Sequence, residues 1–141
     1  MNHYADTSVI VPLFLNEPTS KIAANWFEIS RKKIVASALA IGEFHAVLAK
    51  YIRMGVKNEN EAIEIAAQFD LWRKNATIHA DHESVDFETA AHLVRTPFPK
   101  LLMPDALHLA TCKRLGHILV TFDKDLVIIA AREGITAILP A

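Results

Sequence analysis

The stretch His117-Ile118-Leu119-Val120-Thr121-Phe122, followed directly by Asp123, decides the fold of this chain. Its continuous apolar centre is typical of a strand buried on both faces of a parallel sheet. Gly116 ends the helical segment before it, since glycine readily adopts the left-handed conformation at a helix end. A short helical segment that ends at Gly134 follows. This helix–strand–helix order predicts an α/β fold.

The same alternation of short apolar runs and helical segments extends over the chain. Further strands are predicted at His3–Ala5, Ile34–Ala36, Thr77–His79 and Ile135–Leu139, the last at a sheet edge because Pro140 ends it. Other helices are predicted at about residues 9–15, 22–29, 38–54, 58–74, 84–95 and 104–116. We therefore predict one α/β domain over residues 1–141, with a central, mainly parallel sheet and helices on both faces.

Composition excludes several classes of protein. The 141 residues are 52% hydrophobic and 22% charged, which rules out a disordered or collagen-like chain. The net charge of −1 provides no global basic field for nucleic acid. A single cysteine, Cys112, excludes an internal disulfide and suits an apolar filler. The longest apolar run is far below the ~18 residues of a membrane span, and no secretory signal is recognisable, so we expect a cytoplasmic protein without a membrane partner.

Four acidic residues lie beside apolar segments. Asp6 and Asp123 directly follow predicted strands, and the carboxyl ends of parallel strands meet at one edge of a sheet. Asp105 lies in the first turn of a helix, and Glu43 lies in the helix after the second strand. Carboxylates that converge repel one another unless a cation joins them. Oxygen ligands without cysteine indicate Mg²⁺ or Mn²⁺, which can orient a water and polarise a phosphodiester.

Each of these acids also has a purely structural interpretation. Asp105 suits the positive end of its helix dipole, and Asp6 suits the cap of the first helix. Glu43 can pair with Lys50 or Arg53. Taken singly, the structural and the functional interpretations of each acid stay open.

Four stretches together resemble one known family. They are Asp6-Thr7-Ser8-Val9, the segment Ser37–Phe44 that contains Glu43, the run Asp-Ala-Leu-His-Leu-Ala at 105–110, and Leu119–Asp125. In this order and spacing they resemble the PIN-domain ribonucleases, and most closely the VapC-type toxins of bacterial and archaeal toxin–antitoxin pairs. The resemblance extends from Tyr4 to about Leu139.

The resemblance implies specific roles and partners. The catalytic and metal-binding acids are expected to be Asp6, Glu43, Asp105 and Asp123, with Mg²⁺ or Mn²⁺ as the cofactor. Thr7, Ser8 and Thr121 are expected to orient ligands or water. Asp125 is a possible fifth acid with the same role, although its position suits a helix cap better. Relatives cleave RNA, form homodimers and bind a small antitoxin protein whose C-terminal segment crosses the active site.

Other residues have two interpretations each. His108 shares a helix face with Asp105 and is a candidate metal ligand or supporting group, but a half-buried histidine facing the sheet is favoured. Trp26, Phe27 and Trp72 suit either the core or a partner surface. Two interpretations suit a set of basic residues equally well: contacts to RNA phosphates, or a solvated rim around the site. These residues are Lys100, Lys113, Arg114, Lys124 and Arg31–Lys33.

Two other functions compete with a nuclease. A PIN-like module that binds RNA or protein without cutting would have no evident need for four acids. A metal-dependent phosphatase or receiver-like domain would also place an Asp after a parallel strand. It is disfavoured because no second acid lies beside Asp6 and no clear catalytic lysine follows a strand.

Overall fold

Five short strands form the centre of the molecule in the computed structural model, which describes residues 1–31 and 33–141. They are β1 (His3–Ala5), β2 (Ile34–Ser37), β3 (Thr77–Ala80), β4 (Ile118–Val120) and β5 (Ala137–Ile138). Their order in the sheet is β3-β2-β1-β4-β5, and the neighbouring strands pair in parallel. The predicted parallel sheet, with its last strand at an edge, is confirmed.

The central strand β1 decides where the site lies. Tyr4 is level with Val35 on β2 and with Leu119 on β4. The chain leaves β1 toward β2 and later returns on the other side as β4, so the strand order reverses at β1. In open parallel sheets, ligands bind at the carboxyl edge of such a switch point. Asp6 continues the pairing at that edge, with its N–H 3.1 Å from the carbonyl oxygen of Val120.

Seven α-helices connect or flank these strands in the described part of the chain. They are α1 (Thr7–Ile10), α2 (Ser20–Ser30), α3 (Ala38–Arg53), α4 (Glu59–Ala76), α5 (Ser84–Leu93), α6 (Met103–Leu115) and α7 (Lys124–Arg132).

Local signals account for most helix ends. The Ser37 hydroxyl accepts from the N–H of Ala40 at the start of α3, and Asn58 with Glu61 forms a capping box at α4. Gly116 ends α6 with a φ of 69°, a left-handed conformation that glycine adopts readily. The predicted helix end at Gly116 is confirmed.

The first helix differs from its prediction. It begins at Thr7 rather than Val9 because the Asp6 side chain accepts from the N–H of Ser8 and caps it there. The chain then tightens into a 3-10 helix over Val11–Leu13. Pro12 lies in this segment and has no N–H for the next α-helical hydrogen bond, which accounts for the change.

Alternate strand residues face opposite helical layers, as the pleat requires. Ala5, Ala36 and Val120 pack in a cluster with residues of α1, α3 and α4. The other face carries Tyr4, Val35 and Leu119, which pack with residues of α6 and α7. Helices on both faces are thereby confirmed. The sequence did not decide between the core and a partner surface for three aromatic residues. The structure packs all three, Trp26, Phe27 and Trp72, against the first cluster. Cys112 is fully buried in the second cluster.

A buried ion pair fastens α5 to α6. The two oxygens of Asp86 accept from Nε of Arg114 at 2.8 Å and from Nη2 at 2.9 Å. Thr111 Oγ1 donates to the same carboxylate at 3.2 Å, and Asp86 is only 1% exposed. Burial acts to raise the pKa of Asp86, but the bonds from Arg114 outweigh it and hold this pKa below its ordinary value. The pair therefore fixes α6, which carries Asp105 and His108.

Replacing Asp86 by Asn is expected to lower the free energy of unfolding by about 2–4 kcal/mol at pH 7, because it removes the short, buried carboxylate partner of Arg114 and leaves only the longer, exposed contact with Glu83. The depressed pKa means that this contribution is present above about pH 4 and is lost as the pH falls further. Urea unfolding at pH 7 and pH 3 measures both effects. The matched control is Asp70→Asn, since Asp70 is exposed and lies 3.4 Å from Arg73. Equal losses in the two variants at pH 7 would contradict the buried role.

Candidate active site

Asp6 is a buried carboxylate at the carboxyl end of β1, with only 3% of its surface exposed. Its Oδ1 accepts from the Ser8 N–H at 3.1 Å and from the Ser8 hydroxyl at 2.5 Å. Its Oδ2 accepts from the Thr121 hydroxyl at 2.6 Å. Burial raises the pKa of Asp6, although the bonds from Ser8 and Thr121 act to lower it. The carboxylate is thus fixed in orientation but poorly solvated.

The two hydroxyls on Asp6 also hold the loop that follows β4. Ser8 Oγ accepts from the N–H of Phe122 at 2.9 Å, and Thr121 Oγ1 accepts from the N–H of Asp123 at 3.0 Å. Each hydroxyl therefore donates to the carboxylate and accepts from the backbone. This double use joins the end of β1 to the end of β4 and places Asp123 at the same edge of the sheet as Asp6.

Asp123, rather than Asp125, caps α7. Its Oδ1 accepts from the N–H of Asp125 at 2.9 Å and from that of Leu126 at 3.2 Å. The interpretation of Asp125 as the cap is wrong because the helix begins at Lys124, two residues earlier than a cap at Asp125 would require. Asp125 lies in the first turn with an exposed side chain. Asp123 is exposed as well, and its second oxygen accepts no hydrogen bond from the residues that the structure describes.

Glu43 reaches the site from α3. Its Oε1 accepts from the Thr7 hydroxyl at 2.7 Å and lies 2.6 Å from Nε2 of His108. Burial acts to raise the pKa of Glu43, but the bonds from His108 and Thr7 outweigh it and lower this pKa. Over the described residues neither Lys50 nor Arg53 pairs with Glu43, so those suggested partners are wrong. Both lie on later turns of α3.

His108 is buried more deeply than the sequence suggested. It is 1% exposed, so the prediction of a half-buried residue is wrong. Its Nδ1 lies 2.7 Å from the Tyr4 hydroxyl, and its Nε2 contacts Glu43. Sequence reasoning missed Tyr4, which reads as an ordinary core residue of β1. A usable signal did exist, because a buried tyrosine hydroxyl normally finds a hydrogen-bond partner.

The pKa of Asp105 depends on the charges of the other three acids. Burial raises its pKa to about 6, and the negative charges of Asp6, Asp123 and Glu43 act in the same direction, while His108 opposes them. This mutual repulsion means that the four carboxylates share one electrostatic neighbourhood. They come from β1, α3, α6 and the loop after β4, as the carboxyl edge of the sheet brings these elements together.

The acids do not form a closed cage. Within residues 1–31 and 33–141, no group of three or more His, Cys, Asp or Glu side chains is placed to hold one metal ion. Mg²⁺, however, usually binds through one or two carboxylates and keeps several waters. The donors are oxygen-only, and burial together with the neighbouring negative charges raises the pKa of Asp105. This chemistry fits a hard, largely hydrated divalent ion.

Among the described residues, no lysine or arginine forms an ion pair with any of the four acids. Arg114 pairs with Asp86 and Glu83, and Lys113 lies 3.6 Å from Glu133. Two of the suggested RNA contacts are therefore engaged in ion pairs elsewhere. Another of them, Lys32, lies outside the described residues.

Replacing Asp105 by Asn is expected to stabilise the protein at pH 8 when no divalent ion is present. The folded pKa of about 6 lies above the ordinary 3.8, so the stability that this carboxyl contributes is complete below about pH 4 and is lost as the pH rises through about 6. Asn stays neutral at every pH. The variant should exceed the wild type by about 1–2 kcal/mol at pH 8, after allowance for solvent screening, and match it near pH 4.

Urea unfolding in EDTA at pH 8 and pH 4 checks this prediction. Asp70→Asn, an exposed change far from the four acids, should show no such crossover. A destabilised Asp105→Asn variant at pH 8 would contradict the repulsion argument.

Comparison with solved structures places this architecture among known folds. VapC20 of Mycobacterium tuberculosis, described as a sarcin–ricin loop cleaving toxin, superposes with a TM-score of 0.74 at 18% identity, covering 99% of this chain and 100% of that one. VapBC2 of Rickettsia felis, bound to a promoter DNA fragment, gives 0.72 at 14% identity and covers 98% of both chains. FitAB bound to DNA also gives 0.72 at 14% identity, covering 96% of this chain and 93% of that one. At these identities the likeness shows the fold.

Sequence comparison identifies the family. No curated protein matches this chain. In the described part of the chain, no helix has both the length and the apolar character needed to span a membrane. The family model of the PIN domain matches residues 4–132. The chain therefore belongs to the PIN-domain family, as the four sequence stretches indicated.

Proposed function

We propose that this PIN-domain protein is a divalent-metal-dependent endoribonuclease and the toxin of a toxin–antitoxin pair. The observation that carries the proposal is the shared neighbourhood of four carboxylates, in which burial and the negative charges of the other three acids raise the pKa of Asp105 to about 6. Such a charge cluster is unfavourable without a cation, and a PIN fold presents it at the sheet edge where ligands bind. The proposal treats residues 1–141 as one catalytic unit.

The proposed metal-binding and catalytic residues are Asp6, Glu43, Asp105 and Asp123. A bound Mg²⁺ or Mn²⁺ would supply Lewis acidity to the phosphodiester and lower the pKa of a coordinated water. The protein's own part is to hold the ligands: Ser8 and Thr121 fix Asp6, and Thr7 fixes Glu43. Asp105 carries a proton for part of the time near neutral pH, and it releases that proton when positive charge enters the site.

Support for RNA as the substrate comes from the similar fold of VapC20, which is described as a toxin that cleaves the sarcin–ricin loop. The open, polar carboxyl edge suits a phosphodiester more than a small apolar ligand. Asp125 and Lys124 lie exposed in the first turn of α7 beside Asp123. We assign Asp125 to orienting water or ligand and Lys124 to a phosphate contact, which would position RNA without reading its sequence.

Support for an antitoxin partner comes from FitAB and VapBC2, whose solved structures are complexes. A groove of about 670 Å³ opens beside the acids and is lined by Thr7, Ser8, Val11, Tyr51 and Phe122, among others. Its mixed apolar and polar walls suit a protein segment that would cover the acids and block RNA. A homodimer of the toxin is part of the same proposal, and light scattering of the purified protein reports on it.

Asp6→Asn is expected to lower the rate of RNA cleavage in Mg²⁺ or Mn²⁺ by at least about 100-fold, because it removes the most buried charge from the proposed metal site. EDTA should abolish wild-type cleavage, and added Mn²⁺ should restore it. The melting temperature should rise or stay level, since Asn keeps the shape of Asp and removes one of four repelling charges. Cleavage of a labelled RNA and thermal unfolding measure these effects.

The control for this assay is Glu64→Gln, which makes the same type of change at an exposed position of α4 and should leave cleavage unchanged. Cleavage that survives EDTA or Asp6→Asn would contradict the proposal. A wild-type protein that binds RNA without cutting it in either metal would favour the silent binding module, and hydrolysis of a phosphomonoester instead would favour the phosphatase.

A further inference from the structure

Glu43 is held through one of its two oxygens. Both of its hydrogen bonds, from the Thr7 hydroxyl at 2.7 Å and from His108 Nε2 at 2.6 Å, end on Oε1. Among the residues that the structure describes, no donor reaches Oε2. The Glu43 side chain is 31% exposed, so it is not sealed inside the protein. Two donors on one oxygen fix the rotation of the carboxylate and leave the other oxygen to bind a ligand.

The chemistry of the two groups defines the direction of the histidine bond. An ionised carboxylate only accepts hydrogen bonds, so Nε2 of His108 must carry the proton and donate. Nδ1 of the same ring pairs with the Tyr4 hydroxyl at 2.7 Å. The imidazole is thus fixed at both nitrogens, and the ring packs edge-on against that of Tyr4 with 5.7 Å between their centroids. Tyr4 lies on the central strand and is fully buried, which makes it a rigid anchor.

Packing alone does not explain a histidine at this position. His108 is 1% exposed between the apolar neighbours Leu107 and Leu109 on α6. A buried imidazole is stable only with its polar atoms paired, whereas an apolar side chain of similar size needs no partner. Among the described residues, the imidazole pairs with Tyr4 in the core and with Glu43 at the site. The pairing points to a role at the site.

We propose that His108 is a positioning residue of the proposed nuclease: anchored by Tyr4, its Nε2–H holds Oε1 of Glu43 so that Oε2 is presented to the divalent ion. The inference rests on the proposed function. In other metalloproteins, residues that hydrogen-bond to a metal ligand orient that ligand and tune the affinity for the metal. We assign this role to the hydrogen-bonded chain of Tyr4, His108 and Glu43. His108 itself does not touch the ion or the RNA in this account.

The test compares Mn²⁺ affinity, measured by calorimetry on the full chain without RNA, across three variants. His108→Leu removes the donor and should weaken Mn²⁺ binding by about 10–100-fold. His108→Gln places an amide N–H close to the position of Nε2 and should restore most of the affinity, to within about threefold to fivefold of the wild type by the same scale. Tyr4→Phe removes the anchor but not the donor and should give an intermediate loss.

The matched control is His82→Leu. His82 also bridges α6 to another segment, with Nδ1 2.7 Å from Thr111 Oγ1 and Nε2 accepting from the N–H of Leu39 at 3.0 Å. A purely structural histidine would lower the melting temperature in both leucine variants and leave the Mn²⁺ affinity of each unchanged. Only the positioning role predicts weaker Mn²⁺ binding in His108→Leu together with rescue by Gln.

Unchanged Mn²⁺ affinity in a folded His108→Leu overturns the inference and leaves the proposed function intact. If that variant does not fold, Tyr4→Phe decides in its place, and wild-type affinity there overturns the inference equally. A wild-type protein that takes up no Mn²⁺ overturns the proposed function, and this inference with it.

Discussion

Repulsion among carboxylates at one edge of the sheet is the constraint on which this structure depends. Asp6 is almost fully buried, and Asp105 has a pKa of about 6 because of burial and the neighbouring negative charges. A fold that gathers such groups loses stability when it holds no cation. The surroundings compensate in part with donors: two hydroxyls on Asp6, and a hydroxyl and an imidazole on Glu43. The arrangement favours an occupant that carries positive charge.

The parallel sheet makes this gathering possible. β1 lies between β2 and β4, so the segments after β1 and β4 emerge side by side, and α3, which follows β2, approaches from the neighbouring strand. Helix α6 enters from the opposite face and brings both Asp105 and His108. Its position depends on the buried pair of Asp86 and Arg114, which joins α6 to α5. Stability in the second layer is thus linked to the geometry of the site.

Much of the fold was predictable because its signals are local. Ser37, Asn58 and Gly116 mark helix ends through hydrogen bonds or backbone conformations formed within a few residues. The buried strand β4 was evident from its apolar run. Errors arose where a neighbouring side chain altered a boundary, as when Asp6 started α1 at Thr7 and Asp123 took the cap expected of Asp125.

The site was predictable only in part. Asp6 and Asp123 follow strands, and a parallel sheet brings strand ends together, so their nearness follows from topology. The partners of Glu43 depend on contacts across 36 and 65 residues of sequence, with Thr7 and His108. Sequence spacing carries no information on such contacts. The bond between Tyr4 and His108, 104 residues apart, was hidden for the same reason.

The most direct measurement of the central claim is a crystal structure of the wild-type protein soaked in Mn²⁺, with anomalous diffraction to locate the ion. The account predicts a peak at the carboxyl edge of the sheet, coordinated by at least one of Asp6, Glu43, Asp105 and Asp123 and completed by waters. An empty acid neighbourhood at millimolar Mn²⁺, or a peak bound only elsewhere on the molecule, would contradict it.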